Sequence, residues 1–168
     1  MPSLKEIKNR ITSVQSTRKI TSAMKMVASS KLHHAQMMIE NMLPYENLLE
    51  SMLKTYLEAE VDARTVLTQP REVKKAALIV FASNSSLCGG FNANVLKMMQ
   101  HAVDGYKERG IEVIIYPIGR KVSEKVAKLG LKSAGNFNTI ADKPNAHDCV
   151  KIGEELQELF RKDEIDAV

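Results

Sequence analysis

The loop at residues 83–90 comes nearest to a chemical site in this sequence. It reads Ser-Asn-Ser-Ser-Leu-Cys-Gly-Gly and lies between an apolar run and a helical pattern, the place where nucleotide-binding loops occur. Its glycines follow neither G-x-G-x-x-G nor G-x-x-x-x-G-K-[ST], and it contains no lysine that could reach a β-phosphate. We therefore interpret this loop as a structural turn, and we predict no cofactor.

Other residue types that could do chemistry are isolated from one another. His33 and His34 are adjacent, so on a helix their side chains point about 100° apart and cannot chelate one metal ion. Cys88 and Cys149 lack a C-x-x-C spacing, which favours thiols in a reducing compartment. Acidic pairs such as Glu154-Glu155 fit a solvated helix face, and no Ser/His/Asp or Cys/His arrangement stands out. The sequence predicts no catalytic residue and no metal site.

The element that dominates the sequence is a predicted helix over residues 3–57. This stretch has no glycine, a single proline (Pro44) and apolar residues at helical spacing. Ser3 and Glu6 have the spacing of a capping box, which predicts the start of the helix. Pro44 should bend the helix or mark a break. At 1.5 Å per residue the helix would be about 80 Å long, so most of it must find a partner outside its own domain.

Two apolar seams on this helix follow the spacing of a coiled coil. Between them, residues 16–31 are small, hydroxylic, basic and free of acids, and small side chains let another helix approach closely. In this segment Met24 and Met26 fit either ordinary core packing or an adaptable contact. Without a partner helix, the second seam should self-associate or leave the chain partly unfolded. The seam residues are Leu4, Ile7, Ile11, Val14, Met38, Met42, Tyr45, Leu49, Met52 and Tyr56.

Charge is divided unevenly along the chain. The net charge is +4 with a pI near 9.0, but residues 1–39 alone carry seven bases and one acid, whereas residues 40–72 carry seven acids and three bases. The basic run Arg18, Lys19, Lys25 and Lys31 fits either a solvated face or an acidic partner. Only 5% of residues are aromatic, which disfavours a stacking platform for single-stranded nucleic acid. No apolar run is long enough to cross a bilayer, and the N-terminus does not resemble a signal peptide.

The second part of the chain predicts a Rossmann-like, three-layer α/β domain with a mainly parallel sheet. A connector at 58–72 precedes the domain at 73–168, which we expect to be truncated at its last strand. Predicted strands are 76–82, 111–118, a weaker 131–137 and one starting at Ile165. The first helix should be capped by Asn92 or Asn94 and end at Gly110, and helices should follow at 122–129 and 145–162. The residues predicted to face inward on these helices are Val95, Leu96, Met99, Val103, Tyr106, Val122, Val126, Leu129, Val150, Ile152, Leu156, Leu159 and Phe160.

Two motifs resemble those of a known family. Residues 7–11 (Ile-Lys-Asn-Arg-Ile) and 20–32 (Ile-Thr-Ser-Ala-Met-Lys-Met-Val-Ala-Ser-Ser-Lys-Leu) closely resemble the N-terminal helix signature of the gamma subunits of the rotary ATP synthase, F1 sector. A second family motif is similar to the loop formed by Leu87, Cys88, Gly89, Gly90, Phe91 and Asn92. Where the family usually has Asp-Arg-Gly before this motif, the chain has Asn84-Ser85-Ser86, so any contact made by that tripeptide is open.

The resemblance implies a non-catalytic rotor subunit of the proton-translocating ATP synthase. It implies an N-terminal helix paired antiparallel with a C-terminal helix that this sequence lacks, turning inside a ring of alpha and beta subunits. The α/β domain would lie near the epsilon subunit and the c-subunit ring, peripheral to the cytoplasmic face of a bacterial inner membrane. The residues implied to lie near the acidic catch loops of the beta subunits are Arg18, Lys19, Met24, Lys25 and Lys31.

Two other functions compete with this one. A basic helix could bind nucleic acid, with the α/β domain as a platform, and steeply salt-dependent binding to duplex DNA or RNA would indicate it. A Rossmann-type enzyme would show a thermal shift with ATP or NAD. We expect neither result.

Overall fold

The computed structural model describes residues 3–59 and 65–168, and the chain falls into two compact units that divide between residues 63 and 64. The first unit contains one helix, α1 (Leu4–Ala59). The second contains a 3-10 helix and an α/β arrangement. Its elements are the 3-10 helix Val66–Thr68, β1 (Lys75–Phe81), α2 (Phe91–Glu108), β2 (Glu112–Ile118), α3 (Arg120–Lys128), α4 (Asn138–Asp142) and α5 (Ala146–Arg161).

Helix α1 begins where the sequence predicts. The Ser3 backbone N–H donates to Glu6 Oε2 at 2.8 Å, and the Glu6 N–H donates to Ser3 Oγ at 3.3 Å, which is the reciprocal pairing of a capping box. The helix is continuous through Pro44, so the alternative of a break there is wrong. Proline removes one backbone donor, and the other hydrogen bonds of a 56-residue helix keep the element continuous.

In the second unit, β1 and β2 pair in parallel, with Lys75 opposite Glu112 and Phe81 opposite Ile118. The predicted α/β class and parallel pairing are therefore confirmed. The weaker strand predicted at 131–137 is wrong as a full strand, because it makes a single parallel bridge, Ile115 to Ser133. The segment predicted to start a strand at Ile165 pairs in parallel with β1 through one bridge, Ala76 to Ala167. Residues 131–137 contain Gly135 and Asn136 and no β-branched residue, so nothing sustains a strand beyond that bridge.

Apolar residues fill both faces of this sheet, as strands of a three-layer domain require. On one face, Tyr116 and Ile118 pack with residues of α4 and α5, and on the other, Ile115 and Val80 pack with residues of α2 and α3. Tyr116 is fully buried; its ring stacks on Phe137 and its hydroxyl donates to Glu155 Oε1 at 2.8 Å. Burial raises the pKa of the Tyr116 phenol, and the Glu155 carboxylate raises it further.

Most predicted inward residues are buried or half-buried, but two are not. Val150 is 55% exposed because the inward stripe of α5 runs through Ile152 and Leu156, and a step of two residues turns about 200° around a helix. Leu129 is 39% exposed because α3 ends at Lys128, which leaves Leu129 as its C-cap. The helix predicted at 145–162 is α5, and Asn145 caps it, accepting the Asp148 N–H at 2.9 Å.

Candidate functional surfaces: the exposed helix and the 83–92 loop

Helix α1 exposes every side chain that the structure describes in it, residues 4–58. Along the first seam Leu4 is 88% exposed and Ile7 45%, and along the second Met42 is 66% and Leu49 47%. Covering these side chains would remove apolar surface from water, which is favourable by roughly 25 cal/mol of free energy per Å². An apolar series exposed along a whole helix indicates a surface for binding another protein segment.

The continuous helix joins the two predicted seams into one line. Starting from Ile7, every seventh residue is apolar or small, and the line has large side chains at its ends and small ones at Thr21, Ala28 and Ala35. A strict seven-residue repeat drifts by about 20° per heptad on a straight helix, so a partner helix that follows it winds left-handedly. This heptad line consists of Ile7, Val14, Thr21, Ala28, Ala35, Met42, Leu49 and Tyr56.

The five candidate contact residues do not share one face of α1. Arg18 and Lys25 each stand three residues before a small member of the heptad line, so they flank the line on one side. Met24 and Lys31 each stand three residues after those same members and flank it on the other side. Lys19 stands two residues before Thr21, about 200° around the helix, and projects from the opposite face.

Within residues 3–59, the basic candidates Arg18, Lys19, Lys25 and Lys31 form no ion pair, and the described helix has one such pair, Lys54 with Glu50 at 2.7 Å. The positive end of α1 is therefore not neutralised by its own helix. The threonine hydroxyls bond within the helix: Thr17 Oγ1 donates to the Ser13 carbonyl and Thr21 Oγ1 to the Thr17 carbonyl, each at 3.0 Å. Because these hydroxyls are satisfied, another helix can pack on them without supplying polar partners.

The loop at residues 83–90 is closed by Asn92. Asn92 Oδ1 accepts the Ser83 N–H at 3.0 Å, and Asn92 Nδ2 donates to the Ser83 hydroxyl and the Ser85 carbonyl, each at 2.9 Å. The prediction that Asn92 or Asn94 caps α2 is wrong, because Gly90 occupies the N-cap and the Asn92 side chain is used by the loop. Gly89 has a φ of 57°, and Leu87 at the tip is 84% exposed. Cys88 is half-buried with its Sγ 3.9 Å from the Ser85 carbonyl.

Sequence reasoning missed the part played by Asn84. Its Nδ2 donates to the Asn138 carbonyl at 2.9 Å and to Asp142 Oδ2 at 2.7 Å, and its Oδ1 accepts the Arg120 N–H at 2.7 Å. One amide thus joins the end of β1 to the first residues of α3 and to α4. A short polar residue directly after a buried strand was the available signal, but its partners are 36 to 58 residues away in sequence.

The remaining candidates stay apart in the structure. Within residues 3–59 and 65–168, no three His, Cys, Asp or Glu side chains come together in a way that could hold a metal ion. None of the helices described over those residues combines enough length with enough apolar character to cross a bilayer.

A long exposed helix with a heptad line, joined in sequence to a small α/β unit, is typical of proteins that bind a partner through that helix. A family model described as ATP synthase matches residues 3–168. Among similar proteins, the ATP synthase gamma chain of Phocaeicola vulgatus is 53% identical over the whole chain, that of Bacteroides thetaiotaomicron 48% and that of Flavobacterium johnsoniae 42%. The chain belongs to the ATP synthase gamma-chain family, and it spans 57–58% of the length of these three relatives.

Proposed function

We propose that this chain is the N-terminal portion of the central rotor subunit of a bacterial proton-translocating ATP synthase, with a mechanical rather than a catalytic role. The observation that carries the proposal is the exposed heptad line of α1, flanked by cations that have no ion pair within residues 3–59. Its coupling partners would be the alpha and beta subunits, and its α/β unit would meet the epsilon subunit and the c-subunit ring. The protein would be located at the cytoplasmic face of the inner membrane, as a peripheral component.

The heptad line is the surface that we assign to an antiparallel partner helix. In this proposal the domains follow the division predicted from the sequence. Residues 1–57 would form one half of the shaft, 58–72 a connector and 73–168 the α/β domain. The partner helix would come closest at Thr21, Ala28 and Ala35, where the side chains are small. Arg18 and Lys25 would then lie along one margin of the paired helices and Met24 and Lys31 along the other, while Lys19 projects from the outer face.

Rotation of such a shaft would present a different face to each beta subunit in turn. A face that binds the open and closed states of a beta subunit unequally shifts the balance between them, and only that difference in binding free energy couples rotation to nucleotide affinity. Cations flanking a line of small residues supply attraction to acidic loops without interlocking large side chains. The basic residues therefore act through charge, and their effect should weaken as salt screens it.

The proposal is tested by removing this charge in a complete complex. Replacing Arg18, Lys25 and Lys31 with alanine should lower ATP-driven proton pumping per ATP hydrolysed, because the attraction to the acidic partner is reduced. The measurement compares the rate of proton uptake into vesicles with the rate of ATP hydrolysis in the same preparation.

A matched control removes three exposed cations from the α/β unit, by Lys97→Ala, Lys107→Ala and Lys128→Ala. This variant has the same change in net charge but leaves α1 intact. Equal pumping per ATP in the two triple variants would count against a role for the basic end of α1.

A further inference from the structure

Residues 65–75, which precede and enter β1, lie along the C-terminal end of α5, and we refer to them as the strap. The 3-10 helix Val66–Thr68 packs against α5. Arg71 makes the central contact: its guanidinium carbon lies 3.5 Å from the centroid of the Phe160 ring, and its Nη2 donates to the Phe160 carbonyl at 2.9 Å. Its side chain is only 20% exposed.

Two carboxylates complete this contact. Arg71 Nη1 donates to Asp163 Oδ1 at 2.5 Å and lies 3.7 Å from Asp166 Oδ1. The Asp163 side chain is 83% exposed, and an exposed ion pair contributes little by itself. The half-buried stacking on Phe160, the bond to its carbonyl and the pairing with Asp166, whose side chain is 12% exposed, therefore give the contact most of its strength.

The strap is held a second time where β1 begins. Asp166 Oδ2 accepts the backbone N–H groups of Lys74 and Lys75, each at 2.9 Å, and the Asp166 N–H donates to the Lys75 carbonyl at 2.8 Å. Asp163, in the turn that receives Arg71, has a φ of 58°, a conformation that few residues with a side chain adopt. Arg71 and the end of the strap at Lys74 and Lys75 therefore both bond to the short segment after α5.

We propose that Arg71 is the positioning residue that fixes the point at which the α/β unit holds the chain arriving from α1. Helix α1 ends at Ala59, so residues 60–70 are all that separate it from Arg71. Torque passes along a chain only from where the chain is held, and the strap is the first described segment after α1 that the α/β unit holds. This functional step rests on the rotor function proposed above, whereas the Arg71 clamp itself does not.

The clamp is tested first on the 168-residue chain by hydrogen exchange. Arg71→Ala should speed the exchange of the hydrogen-bonded strap amides, those of Thr68, Lys74 and Lys75, by about tenfold or more, because a charged hydrogen bond and a stacking contact are lost. Exchange in β2 and α3 should not change. Lys74→Ala is the matched control, because alanine keeps the backbone N–H that bonds Asp166, and the Lys74 side chain, 73% exposed, forms within the described residues one ion pair, with Glu72, which is 82% exposed. Arg71→Lys, which keeps the charge but loses the planar fork, should give an intermediate result and serves if the alanine variant does not fold.

The functional step is tested in a complete ATP synthase carrying the same substitutions. Arg71→Ala should lower proton pumping per ATP hydrolysed relative to Lys74→Ala, while hydrolysis itself continues. Unchanged exchange in the strap overturns the clamp and leaves the rotor proposal untouched. Faster exchange with pumping equal to that of the Lys74→Ala complex overturns the role in torque. The rotor proposal is judged separately, by the triple substitution in α1.

Discussion

At the scale of single residues, charge and hydrogen bonding decide what each candidate can do. Arg18 and Lys25 flank the heptad line, whereas Lys19 belongs to the same basic run but projects from the other face of the helix. The three residues carry the same charge, but the helical geometry places them at different distances from the heptad line. If the heptad line is covered by a partner helix, Lys19 is the cation that stays farthest from that partner.

The stability of the α/β unit should depend on whether the Asp166 carboxyl group is ionised. The N–H groups of Lys74 and Lys75 lower the pKa of the Asp166 carboxyl, and the positive charge of Arg71 lowers it slightly further. Its folded pKa thus lies below the value of about 3.9 expected in the unfolded chain. The stabilisation is present above that unfolded pKa and is lost as the pH falls through the folded pKa.

We expect Asp166→Asn to be less stable than the parent chain at pH 7, with a difference that shrinks as the pH falls below about 4. The free energy of unfolding in urea, followed by the near-ultraviolet circular dichroism of buried Tyr116, measures this at several pH values. Asp104→Asn, on the exposed face of α2, is the control. A difference between parent and Asp166→Asn that is the same at every pH would contradict the argument.

At the scale of elements, the carboxyl ends of β1 and β2 come very close together. Ala82 N–H donates to the Ile118 carbonyl at 2.8 Å, and Gly119 follows with a φ of 110°. A Cβ at position 119 would lie 1.9 Å from the Ala82 carbonyl oxygen, which no side chain could tolerate. Glycine is therefore required here for both backbone conformation and space.

Gly119→Ala should destabilise the α/β unit by about 1–3 kcal/mol from the backbone conformation alone, with a further loss from the contact with Ala82. Gly105→Ala is the matched control, because Gly105 lies inside α2 with open space around it. That variant should gain about 0.5–1 kcal/mol, since alanine favours a helix more than glycine does. Urea unfolding measures both changes, and a loss of similar size in the two variants would refute the steric explanation.

At the scale of the whole molecule, the two units bury apolar surface to very different extents. The α/β unit covers Ile115, Tyr116 and Val122 almost completely, whereas α1 leaves its apolar residues in water. An isolated helix in water has little stability beyond that of its own hydrogen bonds, and packing supplies most of the rest. The 168-residue chain should therefore gain stability by covering the heptad line with a second copy.

We expect the chain to self-associate through α1, so that its sedimentation coefficient and helix content rise with concentration. Met42→Glu with Leu49→Glu places two charges on the heptad line and should suppress this rise. Asn47→Glu with Ser51→Glu adds the same charge about 150° away from the line and should not. A fully helical monomer at high concentration would show that the line does not drive association.

Local signals were sufficient for much of the fold. The capping box, the seven-residue repeat, the apolar runs at 76–82 and 111–118 and Gly110 after α2 each act through neighbours in sequence, and the structure confirms the elements they predict. The motif at 20–32 was enough to indicate the family that the comparisons establish. The contact residues on α1 remain predictions, because a partner decides them.

Contacts between distant residues decided the rest. The single bridge of residues 165–168, Ala167 to Ala76, depended on what this segment met across the sheet. Asn92 bonds Ser83 across its loop rather than capping α2. Asn84 and Arg71 each connect separate elements, and their partners lie up to 58 and 92 residues away in sequence. The sequence by itself determined the long helix, the two paired strands and helices α2, α3 and α5, since those depend on local hydrogen bonding and periodic burial. Only the tertiary structure decided which polar side chains join these segments, because a hydrogen bond requires both partners at a defined distance and angle.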